Sequence, residues 1–284
     1  MSTAKLIDIG ANLTYHSLAN NINCVIQRAK DNHLKKIVIT GTSLKNSKDA
    51  IELAKQYPHF LYATVGIHPH DADKHICIKD ISHQLENLAI QNLDVVKSLG
   101  ECGLDFNRNF STRENQIAMF EIQLKLAEKL KLPIFLHERD AHNDLVLCLK
   151  NTLSKDYLCH TVVHCYADGV KEHLEEYLDL GCYIGITGWI TEAKRGKDLF
   201  EIVNIIPIER LMIETDSPFL KPRNIKDKEL RKGRDNEPAY LKYVLRKVAE
   251  SYSQLAQFQS LDIEEVEEIL GNQTTLNAER FFNL

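Results

Sequence analysis

Eight short, β-rich apolar runs, each followed by a longer stretch with helical spacing, constrain this chain more than any other feature. Strands are expected at residues 6–9, 36–40, 61–66, 95–100, 133–136, 161–163, 182–186 and 211–214, and helices at 18–32, 47–56, 82–89, 113–130, 143–149, 170–179 and 196–204. In 113–130, Ile117, Phe120, Leu124 and Ala127 recur at helical spacing. Ser111 or Thr112 supplies an N-cap, Glu114 sits in the first turn, and Leu132-Pro133 closes the helix and opens the next strand. Strand–helix–strand repeated in this way means a parallel sheet, and eight units in 284 residues fit an α/β fold of the TIM-type (β/α)8 barrel class. An open, doubly wound sheet is the rival, but no G-x-G-x-x-G follows the first strand and Gly10 stands alone. No low-complexity linker divides the chain. The tail, residues 240–284, reads as two further helices with Glu264, Glu265, Glu267 and Glu268 on a solvated face. A single domain over residues 1–284 is expected.

With 44% hydrophobic and 26% charged residues the chain carries enough apolar side chains for a large core. A formal charge of −5 excludes a broad basic surface for coating nucleic acid, but not a local grip on a few phosphates. Seven scattered cysteines with no C-x-x-C pair imply free thiols in a reducing compartment. There is no basic-then-apolar leader and no run long enough to span a bilayer. A cytoplasmic monomer is expected.

Reactive groups in such barrels project from the carboxyl ends of the strands. Four of those ends read Gly100-Glu101-Cys102-Gly103-Leu104-Asp105, Phe135-Leu136-His137-Glu138-Arg139-Asp140, Val162-Val163-His164-Cys165 and Ile213-Glu214-Thr215-Asp216-Ser217-Pro218. A lone histidine at a strand end is usually a hydrogen-bonded structural residue, and a lone aspartate before Ser-Pro is usually a turn or cap. Two imidazoles and two carboxylates round one mouth are different: without a cation, like-charged acids would be desolvated for no return. Glu101, His137, His164 and Asp216 are therefore expected to hold a divalent metal. Mixed nitrogen and oxygen donors suit Zn²⁺, Mn²⁺ or Fe²⁺ and accept Mg²⁺ when substrate phosphate completes the shell.

The chain resembles the TatD family of metal-dependent deoxyribonucleases, within the amidohydrolase-like superfamily of metal-dependent hydrolases. The resemblance is carried by Asp8-Ile9-Gly10-Ala11-Asn12-Leu13, Gly66-Ile67-His68-Pro69-His70-Asp71, Gly100 to Phe106, Pro133 to Asp140, His164-Cys165-Tyr166, Gly185 to Trp189, Glu214 to Pro218 and Asn236-Glu237-Pro238. It implies a TIM-type barrel and 3′-to-5′ exonuclease hydrolysis of DNA, with single strands preferred. It also implies Glu101, His137 and His164 as ligands, and Asp216 as a ligand that takes the proton from the attacking water; Glu101 and Asp216 are thus the catalytic pair. Many superfamily relatives carry His-x-His at the end of the first strand, where this chain has Gly10 and Asn12. One firmly held ion is expected, Mg²⁺ in use with Zn²⁺ or Mn²⁺ also suited, and any second ion is held weakly in the Asn12 region.

His68 and His70 flank Pro69 at the end of the third strand and are expected to bind substrate phosphate, with a packed turn as the bland alternative. Arg139 lies two residues past His137, on the same strand face, and is a third phosphate-binding candidate; the alternative is an ion pair with Glu101 or Asp140. From Phe219 to Pro238 seven cations meet four carboxylates, a local excess of three on an acidic chain. Such a rim suits threading a single-strand end. Phe106, Tyr166 and Trp189 follow barrel strands and are candidates for stacking on bases, core packing being the usual role for each. DNA is the expected partner, RNA the variant of it. The alternative function is a metal-dependent ester or amide hydrolase of the same barrel type, acting on a lactone or an aminoacyl-tRNA, since fold does not set reaction.

Overall fold

The computed structural model describes residues 4–284. Its eight strands are β1 (Leu6–Ala11), β2 (Leu34–Ile39), β3 (Leu61–Val65), β4 (Val96–Asp105), β5 (Ile134–Arg139), β6 (Thr161–Val163), β7 (Tyr183–Ile186) and β8 (Leu211–Ile213). They form one sheet in the order β1 to β8, and a parallel bridge between Ala11 and Ser217 ties the end of the first strand to the segment leaving the last. That is the topology of the (β/α)8 barrel class.

The chain divides into two compact units. One comprises residues 4–37, 165–175 and 184–280, with β1, β7 and β8; the other comprises 38–164, 176–183 and 281–284, with β3 to β6. In the second unit β3, β4, β5 and β6 pair in parallel. Every residue of β3 is buried, as are Ile134 to Leu136 of β5 and all of β6, so their sequences are near-continuous apolar runs rather than alternations.

The helix Arg113–Leu130 begins where the capping pattern puts it: the Thr112 side chain accepts from the Asn115 N–H, and Lys131 ends the helix in the left-handed region at φ 55°. In the first unit the tail forms two long helices, Leu241–Tyr252 and Ile263–Phe282. Of the four tail glutamates read as a solvated face, Glu267 is the exception. It is buried at 2% exposure, and its carboxylate lies 3.3 Å from the Arg246 guanidinium. The helical period alone did not show that an arginine stood opposite.

The helix expected at 18–32 is two helices, His16–Ala19 and Ile22–Asp31, broken at Asn20-Asn21. The fourth strand differs most. It was expected to stop at Gly100 but runs to Asp105, because it carries two extra residues. One register shift falls between Ala63 and Thr64 opposite β4, the other between Leu99 and Cys102. The two glycines near the second shift make it possible. Gly100 has φ 131° and Gly103 has φ 142°; a Cβ on either would sit 2.1 Å from the Phe135 carbonyl oxygen or 1.9 Å from that of His137. Bulges of this kind re-aim side chains, and Glu101 lies inside one. No helix among the described residues is long and apolar enough to cross a membrane. All seven cysteines are free.

Candidate active site

Within the second unit, three imidazoles converge on one oxygen of Glu101. His137 Nδ1 and His164 Nε2 each lie 2.9 Å from Glu101 Oε1, and His68 Nε2 lies 3.2 Å from the same atom. A carboxylate oxygen has two lone pairs, so three ring nitrogens are more than it can satisfy as a hydrogen-bond acceptor. The arrangement is a set of convergent electron-pair donors as much as a hydrogen-bond network. The ligand atoms of His68, Glu101 and His137 lie within 4.8 Å of one another, a group that can hold a metal ion.

Second partners of the rings assign their tautomers. Nδ1 of His68 accepts the backbone N–H of His70 at 3.1 Å, so the ring proton of neutral His68 sits on Nε2 and points at Glu101. His137 is the opposite case: its Nε2 faces Asp105 Oδ2 at 3.4 Å, so Nε2–H donates there and the Nδ1 lone pair faces Glu101. Asp105 also lies 2.7 Å from His70 Nε2 and accepts the backbone N–H groups of Asn107 and Arg108.

Burial alone would raise the pKa of Glu101, but the positive fields of His68 and His164 and the bonds from His137 and His164 hold it well below the usual range. Asp105 behaves likewise, burial being overridden by bonds from His137 and His70. His68 goes the other way, burial lowering it against the pull of Glu101. Burial also acts to lower His137, but its bonds to Asp105 and Glu101 leave it raised.

One helix sets the strand ends that carry these groups. On Arg113–Leu130, the Gln116 amide accepts the Asp105 N–H at 2.8 Å and donates to the Asp105 carbonyl at 3.1 Å. Gln123, two turns on, does the same for Ile67, at 2.7 and 3.0 Å. Both glutamines are buried, so each saturates backbone groups that water does not reach. His68 follows directly from the second clamp, and His164 packs on the Phe135 ring at 4.5 Å between centroids.

In the first unit, Asp216 sits in the left-handed region at φ 50°. Its Oδ1 accepts from the Asn12 side-chain amide at 2.9 Å, and its N–H donates to the Gly10 carbonyl at 2.8 Å. Beneath it, Asp8 accepts from the Thr215 N–H at 2.9 Å and hydroxyl at 2.5 Å. Asn236 donates to the Thr215 carbonyl at 2.8 Å, and Glu214 accepts the Cys165 N–H at 2.5 Å.

The structure thus brings Glu101, His137 and His164 together with His68 and, through Asp105, His70; Asp216 belongs to the other unit, with Asn12 as its partner. Arg139 ends β5 exposed, and among the described residues enters no ion pair. Phe106 and Tyr166 are buried in the core and Trp189 is half-buried under the Arg195 guanidinium, so the bland reading fits the first two. The aromatic ring beside the cluster is Phe110, 64% exposed and edge-on to His70 at 4.8 Å. Asp105 was missed as a site residue although its signal was present. Glu101, Gly103 and Asp105 alternate along one strand, but only once the strand is known to continue past Gly100.

The model of the family described as TatD related DNase matches residues 7–283. A 3′-5′ ssDNA/RNA exonuclease TatD of Pectobacterium atrosepticum is 41% identical over 280 residues, covering 98% of this chain and 100% of that protein. Among solved structures, a TatD family hydrolase from Entamoeba histolytica matches with a TM-score of 0.82 at 29% identity, and a TatD homologue from Escherichia coli K12 with 0.83 at 26%; each match covers 99% of both chains.

Proposed function

The chain belongs to the TatD-related DNase family, and on that premise we propose that it is a metal-dependent 3′-to-5′ exonuclease that hydrolyses the phosphodiester bonds of single-stranded DNA and RNA. The observation that carries the reading is the approach of His137 Nδ1 and His164 Nε2 to one Glu101 oxygen, both at 2.9 Å.

The donor chemistry fits a divalent ion. Asp105 takes the Nε2–H of His137 and so turns its Nδ1 lone pair toward Glu101, the carboxylate–histidine pairing usual behind metal ligands. Glu101, His137 and His164 are the proposed ligands, with Asp216 from the eighth strand as the fourth. Mg²⁺ is the proposed ion, and Zn²⁺ or Mn²⁺ suit the same donors. A divalent ion in such a set acidifies water and neutralises charge on a phosphoryl oxygen.

The remaining roles fall to the chain's own groups. Asp216 takes the proton of the attacking water; its support is its place just beyond β8, anchored by Asn12 and Gly10. Because the Asn12 amide is spent on Asp216, one firmly held ion is proposed. His68 presents an N–H rather than a lone pair, which suits donation to a phosphoryl oxygen better than ligation. His70 and Arg139 position the substrate phosphates. Seven free thiols support a reducing, cytoplasmic setting; a single chain acting as a monomer completes the proposal.

The test is digestion of single-stranded oligonucleotides labelled at one end or the other. Shortening from the 3′ end that stops on chelation and returns with Mg²⁺ is expected. Inert DNA and RNA, with cleavage of a lactone or aminoacyl ester instead, would replace this reading with an ester or amide hydrolase.

A further inference from the structure

In the first unit, the loop leaving β8 encloses a cavity of about 630 Å³ whose charged lining is all of one sign: Lys221, Arg223, Arg231, Lys232 and Arg234. That volume lies within the roughly 300–1,000 Å³ of ordinary ligand sites. Lys221 is structural as well as charged, donating to the Leu230 and Gly233 carbonyls at 2.5 and 2.7 Å and so tying the two ends of the cavity wall together. Arg223 shares Glu192 at 3.0 Å and Lys232 pairs with Glu229 at 2.6 Å, both exposed surface pairs of the weak kind. Arg231 and Arg234 are exposed, and among the described residues neither enters an ion pair. Asp235 and Glu237 are the other carboxylates whose fields reach Lys221. Five cations held round one space repel one another, and only a bound anion repays that.

A second, independent feature lies on the same loop. Phe219, two residues before Lys221, is 45% exposed and packs against Tyr15, 41% exposed, with ring centroids 5.3 Å apart. Large exposed aromatics are uncommon on a surface, and a pair of them beside a cationic cavity has the two elements by which proteins take unpaired nucleic acid: charge for the backbone and rings for the bases. A duplex, whose bases are already stacked, has no use for the rings.

Resting on the nuclease reading above, we propose that the Tyr15–Phe219 ring pair and the Lys221–Arg234 cavity form a binding site for a single nucleic-acid strand, the cavity taking backbone phosphate and the rings a base. The site holds the strand away from the bond being cut, so it selects single strands independently of the metal ligands.

The experiment is equilibrium binding of the full-length protein, with Mg²⁺, to a fluorescent phosphorothioate single strand that resists hydrolysis, followed by anisotropy over a KCl series. Replacing both Arg231→Gln and Arg234→Gln should weaken binding about tenfold or more and flatten the slope of log Kd against log salt by about 1. Arg231→Lys with Arg234→Lys should restore the slope. Phe219→Ala should weaken binding about tenfold without changing the slope. Unchanged affinity and slope in the double glutamine variant, or a duplex bound as tightly as the single strand, would overturn the proposal. Binding is read without turnover, so the two readings fail separately. A wild-type protein that binds through these residues yet cuts no phosphodiester sinks the nuclease reading alone, whereas one that digests DNA while the variants bind normally sinks this one.

Discussion

Oδ2 of Asp105 stands 3.4 Å from Nε2 of His137, so the ring's other nitrogen, Nδ1, is the one turned to Glu101. Asp105 is 1% exposed and meets no ligand role itself; it fixes which lone pair His137 offers. Asp105→Asn keeps the shape and loses the charge. It should lower affinity for a divalent ion by roughly 10–100-fold, the usual effect of removing such a partner, as read by competition with a chromophoric chelator. Unchanged affinity would contradict the tautomer assigned here.

Gly103 lets β4 approach β5 closely. An alanine there would place its Cβ 1.9 Å from the His137 carbonyl oxygen, at φ 142°, a backbone region that costs a side chain dearly. Gly103→Ala should destabilise the fold by about 2–5 kcal/mol from strain and overpacking together, measured by urea denaturation. A loss under about 0.5 kcal/mol, the size of an ordinary surface substitution, would show that the strand can relax.

Asp8 links stability to pH. Burial outweighs the bonds from Thr215 and Gly10 and pushes its carboxyl from 3.8 up to about 8. Below the unfolded value both states hold the proton and the native state keeps its full advantage. As pH rises from about 4 to about 8 the unfolded chain releases a proton that the folded chain retains, so stability falls across that window and levels above it. Asp8→Asn should flatten the fall; equal slopes for both proteins in urea melts across the window would refute it.

Phe110 stands 64% exposed against His70. Phe110→Ala should raise KM for a single-stranded oligonucleotide roughly tenfold by removing a ring on which a terminal base can stack. An unchanged KM would assign the ring to the protein alone.

Most of the fold was legible because the eightfold alternation is long and regular, and the three second-unit ligands were legible because strand ends are where this topology puts chemistry. What the sequence withheld has local causes. The extra residues in β4 cannot be read from apolar spacing, so Asp105 fell outside the expected strand although it orients two histidines. His68 was seen as a site residue, but only its bond from the His70 N–H shows that it offers a proton rather than a lone pair. Glu267 looked solvated because its partner, Arg246, lies on another helix. The basic loop was visible as a charge excess; that five of its cations line one cavity was not.

The central claim is that Glu101 and its imidazoles hold the ion on which hydrolysis depends. Titrating a divalent ion into the wild-type protein and Glu101→Gln, which preserves shape but removes the charge, tests it most directly. One ion per chain in the wild type is expected, with an affinity loss of at least roughly 100-fold in the variant at unchanged circular dichroism. Equal affinity in the two proteins would place the ion elsewhere and leave the cluster without its assigned role.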